Sequence, residues 1–335
     1  MTGGMEMREL GRTGLAVSRL GMGMAALGRP GYMVLGHAED MADGTAVDAM
    51  RARAHAVLDA AWALGIRYVD AARSYGRAEA FVASWLSARG IAPGEMVIGS
   101  KWGYAYTAGW RVDAEVHEVK EHTPEQLARQ SAESLALLGS HLRLYQIHSA
   151  TLDTGVLENA DVLAGLARLK RDGLRIGLSL TGARQADTLR RAMVVRVDGE
   201  GLFDAVQATW NVLEPSAGPA LREARAAGMG VIVKEALANG RLTSRNTTAA
   251  HVDDLAVLRA EAERLDTTID ALALAAALAQ PWADVVLSGA ATVAHLRSNA
   301  AALEVKLDGE ACDRLGTLAW NPDAYWDERS RLPWT

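Results

Sequence analysis

GIRYVDAARSYGRAEAF, residues 65–81, contains a strand pattern, a turn and the start of a helix. The strand candidate Arg67–Asp70 contains a short apolar run, which is typical of a buried strand, and it ends at an acidic residue. Helical spacing begins a few residues later, over Arg77–Ala88. A strand that feeds directly into a helix is the building unit of a parallel sheet, so this stretch predicts an α/β protein.

The same unit repeats along the whole chain. Eight strand candidates occur, at Val17–Gly21, Arg67–Asp70, Met96–Ser100, Arg143–His148, Arg175–Leu178, Asp204–Gln207, Gly230–Val233 and Asp284–Leu287. Helical spacing between them covers Val47–Leu64, Arg77–Ala88, Pro124–Leu138, Ala160–Arg171, Arg184–Met193, Gly218–Ala227, Ile269–Ala279 and Thr292–Ala302. Eight strands that alternate with helices predict one closed parallel sheet, a (β/α)8 TIM barrel.

A doubly wound open sheet is the main rival architecture. Residues 21–26 spell G-x-G-x-x-A, which in that fold binds a pyrophosphate where a helix begins. Residues 28–31, GRPG, follow at once and would break any such helix. The motif is therefore interpreted as a turn at which the backbone must approach another group closely.

Bulk composition limits the class of protein. The chain has 335 residues, half of them hydrophobic, and a net charge of −6, which gives no sign of a nucleic-acid-binding surface. No apolar run reaches the roughly 18 residues of a membrane span. The N-terminus MTGGMEMREL has no signal-peptide core, and Cys312 is the one cysteine, so we expect a cytoplasmic protein with Cys312 as a buried thiol. We expect a single domain over residues 1–335, with a core of about 7–303 and a C-terminal helix and tail over 304–335; no pattern predicts the oligomeric state.

Four polar side chains lie at or just beyond the ends of three successive strand candidates: Asp70, Tyr75, Lys101 and His148. The carboxyl ends of barrel strands meet at one face, so we expect these groups to converge there. Carbonyl reduction needs an acid for the oxygen, and Tyr75 can supply that proton. A cation at Lys101 would lower the pKa of Tyr75, and Asp70 would neutralise Lys101. His148 would donate a hydrogen bond to the substrate oxygen or relay a proton to Tyr75.

These motifs resemble those of the aldo-keto reductases. Residues 65–79 are similar to the family's signature segment, with the Asp, the Tyr-Gly pair and the Glu at matching spacing. The resemblance extends from about Met7 to Leu303. It implies a (β/α)8 barrel that moves a hydride between a nicotinamide cofactor and a carbonyl compound, with the four side chains above as its catalytic tetrad.

The resemblance also implies that the cofactor lies extended across the barrel mouth. Gly23 and Met24 would bring the backbone close to the nicotinamide. Ser179 matches a family serine, but Leu180 replaces the asparagine that contacts the carboxamide in the family. Ser179 and Gln207 are therefore expected to make that contact.

Two further segments match the family in part. Trp210 replaces a tyrosine that stacks on the nicotinamide ring in the family, which keeps an aromatic face there; core packing is the alternative. Leu237 and Gly240 match a loop that follows the pyrophosphate. Lys234 departs from that loop's pattern and would either meet a phosphate as a point charge or remain a solvated strand-end lysine.

The last strand candidate leads into a segment that, in the family, binds the adenosine end. Gly289, Thr292 and Asn299 match it, whereas Ala291 occupies the place of the arginine that clamps the 2′-phosphate. Arg297 is one turn further along and can substitute, and a helix N-terminus there favours an anion. We therefore expect NADP(H) to be favoured over NAD(H).

A long loop over Trp102–Thr123 is the candidate substrate wall. It carries Trp102, Tyr104 and Trp110, and loops after barrel strands build the catalytic face. Packing of these rings against the barrel rim is an equally good interpretation. The loop predicts an aromatic pocket for a carbonyl or sugar substrate.

No metal site is predicted. His117 and His122 are five residues apart, whereas the H-E-x-x-H zinc motif needs four so that both histidines share one helix face. The acidic run around them is interpreted as a solvated loop or helix end.

Three functions stay open at this level. The first is reduction of an aldehyde or ketone with a nicotinamide cofactor, which the four side chains favour. The second reverses the direction and makes the protein an NAD(P)-dependent dehydrogenase of sugars such as aldoses. The third is a non-catalytic, cofactor-sensing regulatory subunit, because potassium-channel β-subunits resemble this family.

Overall fold

The computed structural model describes residues 5–335, which form a closed barrel of eight parallel strands surrounded by helices. The strands are β1 (Met7–Glu9), β2 (Ala16–Ser18), β3 (Leu20–Gly23), β4 (Tyr68–Asp70), β5 (Val97–Trp102), β6 (Tyr104–Tyr106), β7 (Glu118–Lys120), β8 (Leu142–Ala150), β9 (Arg175–Leu180), β10 (Arg196–Val197), β11 (Glu200–Gly201), β12 (Ala205–Thr209), β13 (Gly230–Lys234) and β14 (Val285–Ser288). The barrel order is β3-β4-β5-β8-β9-β12-β13-β14, and β14 pairs with β3 to close the ring. The predicted (β/α)8 barrel is confirmed, and the open-sheet alternative is excluded.

The helices connect the barrel strands on the outside. They are α1 (His37–Asp40), α2 (Val47–Ala63), α3 (Ala78–Arg89), α4 (Pro124–Leu138), α5 (Ala160–Arg171), α6 (Gln185–Met193), α7 (Gly218–Ala226), α8 (Val252–Arg264), α9 (Ile269–Leu278), α10 (Val293–Ala300), α11 (Gly309–Gly316) and α12 (Pro322–Ser330). Short 3-10 turns lie at Gly139–His141, Leu152–Thr154, Ala238–Gly240, Ala249–His251 and Ala301–Leu303. α4 has its predicted bounds because the hydroxyl of Thr123 caps it, accepting a 3.2 Å hydrogen bond from the Gln126 amide.

The first predicted strand is wrong in its bounds. Val17–Gly21 is divided between β2, which pairs antiparallel with β1, and β3, which belongs to the barrel. The chain turns at Arg19, whose buried guanidinium donates to the main-chain carbonyls of Leu278 and Ala283. The apolar run predicts a strand, but the sequence does not show that Arg19 is buried against distant carbonyls and that the strand is interrupted there.

The β1–β2 hairpin closes the amino end of the barrel. Leu10, Leu15 and Val17 are buried against inward-facing strand residues: Tyr68, Val97, Leu144, Ala205, Ile232, Val285 and Leu287. Burial of one such aliphatic side chain contributes on the order of 1.5–3 kcal/mol. The amino end is thereby filled, and the opposite, carboxyl end is left for a site.

Two features outside the barrel differ from the sequence predictions: the exposure of Cys312 and the presence of α8. Cys312 is exposed, which corrects the predicted buried thiol. In α11 the buried positions are Ala311 and Leu315, one turn apart, and Cys312 lies just outside that stripe. α8 was not predicted from the sequence.

Residues 1–4 of the predicted single domain, 1–335, lie outside the described residues, and the single-domain assignment stays a prediction. The predicted tail over 304–335 contains α11 and α12. Within residues 5–335, no helix combines the length and the apolar character needed to cross a membrane.

Candidate active site

Asp70, Tyr75 and Lys101 meet at the carboxyl end of the barrel. The Lys101 ammonium is fully buried and forms an ion pair with Asp70. It also donates to the Ala71 carbonyl at 2.9 Å and to the Tyr75 hydroxyl at 3.4 Å. These contacts saturate the ammonium, so its position beside the phenol is fixed.

The backbone brings Tyr75 to this point through close packing of two loops. The Met24 amide donates to the Asp70 carbonyl at 2.9 Å, which joins the ends of β3 and β4. Gly28 then passes so close to the Tyr75 segment that a Cβ on it would lie 2.2 Å from the Tyr75 carbonyl oxygen. Only glycine fits there, and the position of Tyr75 depends on it.

Asp70 is held by donors from across the barrel interior. Besides Lys101, it accepts hydrogen bonds from the Tyr68 hydroxyl at 3.2 Å, the Gln146 amide at 3.3 Å and the Gln207 amide at 2.8 Å. A buried carboxylate is stable only when it is paired in this way. Gln207, which was predicted to contact the cofactor, also lines the cavity described below.

The phenol of Tyr75 is protonated at neutral pH. Burial raises the pKa of Tyr75 well above its usual value, and the nearby Asp70 carboxylate raises it further, whereas Arg29 lowers it. The lowering of this pKa that we expect from Lys101 is therefore outweighed. The physical reason is that Asp70 neutralises Lys101 and burial penalises the phenolate.

His148 lies beside Tyr75 as a neutral imidazole. Burial lowers the pKa of His148 well below its usual value, and the neighbouring Lys101 charge lowers it further. Its ring packs edge-on against Tyr75 at 5.4 Å and against Tyr104 at 4.9 Å, between centroids. Nδ1 lies 3.4 Å from the Ser74 hydroxyl; in the tautomer in which Nδ1 accepts from that hydroxyl, Nε2 carries the proton.

A single cavity of about 850 Å³ joins these groups to the predicted cofactor segments. Eight predicted cofactor residues line it: Gly23, Gln207, Lys234, Leu237, Gly240, Gly289, Ala291 and Asn299. Of the four predicted catalytic groups, Asp70, Tyr75 and His148 line the same cavity, whereas Lys101 does not. The barrel mouth thus brings together most of the predicted catalytic and cofactor-binding residues.

Four predicted cofactor residues lie outside the cavity lining: Met24, Ser179, Trp210 and Thr292. Ser179 is buried, and its hydroxyl accepts a 2.8 Å hydrogen bond from the Ser149 amide where β8 becomes irregular. Trp210 packs edge-on against Trp282 at 5.8 Å, as the core-packing alternative predicted. Thr292 caps α10 by accepting from the His295 amide.

The cavity connects Tyr75 with the segment that was predicted to bind the adenosine end of the cofactor. Its volume lies within the range of small-molecule sites, and it reaches from Tyr75 to Asn299. Along it, Asn239 and Gly240 have positive φ, and a Cβ on Gly289 would meet open space. The amides of Ala238 and Gly240 donate to the carbonyls of Glu235 and Leu237, so this turn is closed by its own backbone hydrogen bonds.

The predicted aromatic wall is only partly present. Tyr104 lines the cavity, whereas Trp102 and Trp110 do not. Trp102 is fully buried against His122, and the Trp110 indole donates to the Thr45 carbonyl at 2.7 Å. Both packing arrangements agree with the rim-packing alternative.

Several cavity residues were missed by sequence reasoning: Arg29, Tyr32, Glu118, Glu235, Arg245, His295 and Arg329. Glu235 pairs with Arg329 of α12 through two hydrogen bonds, of 2.8 and 2.5 Å. The side chains of Glu235 and Arg329 are 9% and 18% exposed, and Arg329 with Lys234 holds the pKa of Glu235 well below its usual range despite its partial burial. The position of Glu235 directly after a barrel strand was a usable signal, whereas nothing local marked Arg329.

The acidic run around His117 and His122 was expected to be a solvated loop or a helix end. It instead contains β7, which pairs antiparallel with β6 in a β-hairpin. His117 stacks on Trp334 with centroids 4.1 Å apart, and His122 lies 2.9 Å from the His148 carbonyl. Across residues 5–335, no three His, Cys, Asp or Glu side chains are grouped as metal ligands.

Comparison with known proteins agrees with this geometry. Residues 19–319 match the model of the Aldo/keto reductase family. The chain is 26% identical over 288 residues to aldo-keto reductase ausK of Emericella nidulans, covering 78% of this chain and 71% of that protein. It is 27% identical over 311 residues to L-galactose dehydrogenase of Arabidopsis thaliana, covering 89% and 88%.

Among solved structures, the holo form of an aldo-keto reductase from Bacillus halodurans has the same fold. It superposes with a TM-score of 0.72 at 23% identity, covering 95% of this chain and 97% of that one. The family match spans nearly all of the barrel and the segments that line its mouth. The chain therefore belongs to the aldo/keto reductase family of NAD(P)H-dependent oxidoreductases.

Proposed function

We propose that this enzyme transfers a hydride between a nicotinamide cofactor and an aldehyde or ketone, with Tyr75 as general acid in reduction and general base in oxidation. The observation that carries the proposal is a protonated phenol on the cavity wall, 3.4 Å from a fixed ammonium. The bound cofactor supplies or accepts the hydride at the carbonyl carbon. Tyr75 supplies the proton that the oxygen then needs.

The neighbouring groups assist this proton transfer. Lys101 stabilises the phenolate that forms when Tyr75 gives up its proton, and Asp70 holds Lys101 in place. His148, neutral and with Nδ1 directed at Ser74, offers its Nε2–H to the substrate oxygen. The oxygen is thus oriented by one group and protonated by another.

We also propose that NADP(H) is favoured over NAD(H). Ala291 lines the cavity without a charge, and Arg297 does not line it. Arg245 and His295 do line it near Asn299, and Arg245 lies 2.9 Å from His295 Nε2. Both end nitrogens of Arg245 also donate to the Asp40 carboxylate, so a 2′-phosphate would bind here by replacing Asp40 as the partner of Arg245, with the imidazole of His295 beside it.

Sugar oxidation is a second candidate, favoured by the charged wall near Tyr75. Glu118, Glu235, Arg29 and Arg329 all line that part of the cavity. The four groups are paired with one another, Arg29 with Glu118 and Arg329 with Glu235, and their remaining N–H groups and carboxylate lone pairs can form hydrogen bonds with sugar hydroxyl groups. The similarity to L-galactose dehydrogenase supports the same candidate.

The test is turnover of the purified protein with NADPH and NADH against matched aldehydes, ketones and aldoses, and with NADP⁺ and NAD⁺ against the corresponding alcohols and sugars. Consumption of NADPH with simple carbonyls supports the first function. Preferential reduction of the oxidised cofactor by aldoses supports the second. Tight cofactor binding without turnover in either direction would contradict both and would favour a sensing role.

A further inference from the structure

We propose that Arg29 is a positioning residue of this active site, whose guanidinium holds the ring of Tyr75 and stabilises its phenolate form. The inference rests on the proposed role of Tyr75 in proton transfer. It concerns a residue of the loop after β3, outside the four catalytic groups.

Arg29 is fixed by hydrogen bonds from one nitrogen. Nη1 donates to the Ser74 carbonyl at 3.0 Å and to the Glu118 carboxylate at 2.8 Å. The side chain is 3% exposed, so it has no freedom to leave for solvent. A buried cation with two anchoring contacts has a defined place in the electrostatic field of the site.

The backbone also locks Arg29 against the Tyr75 segment. The Arg77 amide donates to the Gly28 carbonyl at 2.7 Å. Gly76 has a φ of 59°, and a Cβ on it would lie 2.5 Å from the Gly28 carbonyl oxygen and 3.0 Å from Arg29 Cβ. The two loops therefore approach each other directly on either side of Tyr75.

The guanidinium is surrounded by three aromatic rings. Its carbon lies 5.2 Å from the centroid of Tyr75, 5.1 Å from Tyr32 and 4.6 Å from Trp334. Cations at such distances from ring faces are attracted to them. Arg29 thus joins the catalytic ring to Trp334 at the C-terminal end of the chain.

The charges that face Tyr75 do not cancel evenly. They come from several elements: Asp70, Lys101, Arg29, Glu118 and Glu235, with the neutral His148 imidazole and the Tyr32 phenol beside them. Lys101 is neutralised by a fully buried Asp70, whereas the partner of Arg29, Glu118, is 21% exposed. Solvent screens Glu118 more than Arg29, which leaves a net positive influence on the phenol. The same guanidinium lowers the pKa of Tyr75, in opposition to burial and Asp70.

A merely structural Arg29 would pack the rings without changing the ionisation of Tyr75. The two roles are separated by placing a fluorinated tyrosine at position 75, because fluorination makes the phenol more acidic and brings its ionisation into a range where the protein is folded. Fluorine NMR of the intact protein then reports the pKa of that one residue and requires no turnover. Failure of the proposed function would therefore leave this measurement intact.

The variants are Arg29→Gln, which keeps a donor but removes the charge, Arg29→Lys, which keeps the charge, and Glu118→Gln, which removes its partner. We expect Arg29→Gln to raise the pKa at position 75 by about one unit or more, since a cation at this distance shifts a pKa by roughly 1–3 units. Arg29→Lys should stay near the parent value, and Glu118→Gln should lower it. An unchanged pKa in Arg29→Gln would overturn the inference; should that variant not fold, an unchanged pKa in Glu118→Gln would overturn it.

Discussion

Gln207 donates a 2.8 Å hydrogen bond to Asp70, although 137 positions separate them in the sequence. The bond crosses the barrel interior from β12 to β4. It completes the set of donors around the carboxylate that pairs with Lys101. The catalytic ion pair is therefore held by the closed barrel itself and not by neighbouring residues alone.

Replacing Gln207 by Leu tests this support. The change removes a buried donor from a carboxylate and should lower the free energy of unfolding by about 1–3 kcal/mol. Urea denaturation measures it. Gln280→Leu, at a half-buried surface position where the amide donates to Ala276, is the matched control and should cost less than about 0.5 kcal/mol.

Replacing Gly28 by Ala should misplace Tyr75. The added methyl group would lie 2.2 Å from the Tyr75 carbonyl oxygen and 2.5 Å from Ala78 Cβ, so the loop must shift. A displacement of this kind should reduce kcat by about 100-fold. Steady-state kinetics provides the measurement, and Gly316→Ala, where a methyl group meets nothing within 4 Å, is the control. Equal kcat in both variants would show that the close approach is unimportant.

The buried Glu235–Arg329 pair predicts strong coupling between α12 and the end of β13. Arg329→Met leaves Glu235 buried without its main partner and should lower the free energy of unfolding by about 3–5 kcal/mol. The double variant Arg329→Met, Glu235→Gln should recover most of that loss, which a double-mutant cycle in urea detects. Arg190→Met breaks an exposed pair with Glu223 of similar geometry and should have far less effect. Additive losses in the cycle would contradict the coupling.

Stability should fall as the pH is lowered below neutrality. Burial lowers the pKa of His37 and of His122 to about 4. In the unfolded chain these groups bind protons from about pH 6.5 downwards, so the unfolded state gains protons that the folded state does not take up until about pH 4. Between pH 7 and pH 5, each of these two histidines should therefore lower the free energy of unfolding by roughly 2 kcal/mol.

Unfolding in urea at these two pH values, with His37→Phe, checks the sign. The variant should lose less stability than the parent protein between pH 7 and pH 5. An identical pH dependence in His37→Phe and the parent would contradict the assignment.

The alternation of strands and helices was sufficient to predict the barrel, because each βα unit carries its own apolar pattern and caps. The tetrad positions followed from the rule that strand ends meet at one face, as Lys101 and Asp70 do. The first strand was wrong because the turn at Arg19 depends on carbonyls from α9 and its following loop, far along the chain. Local patterns do not contain such partners.

The cavity wall was harder to predict for the same reason. Trp210 has an aromatic side chain in a matching motif, yet its ring packs edge-on against Trp282 and does not line the cavity. Arg329 reaches the site only because α12 folds back over the end of β13. Arg29 lies in a loop whose course is decided by glycine contacts with the Tyr75 segment. These residues become visible only when distant segments are brought together.

The most direct test of the account is Tyr75→Phe, with reduction kinetics and cofactor affinity measured on the same preparation. The variant removes one hydroxyl and keeps the ring that packs against His148. We predict a fall in kcat of about 100- to 10,000-fold, the share of a general acid, with the dissociation constant of the cofactor little changed. Turnover at the parent rate would contradict the assignment of Tyr75 as the proton donor.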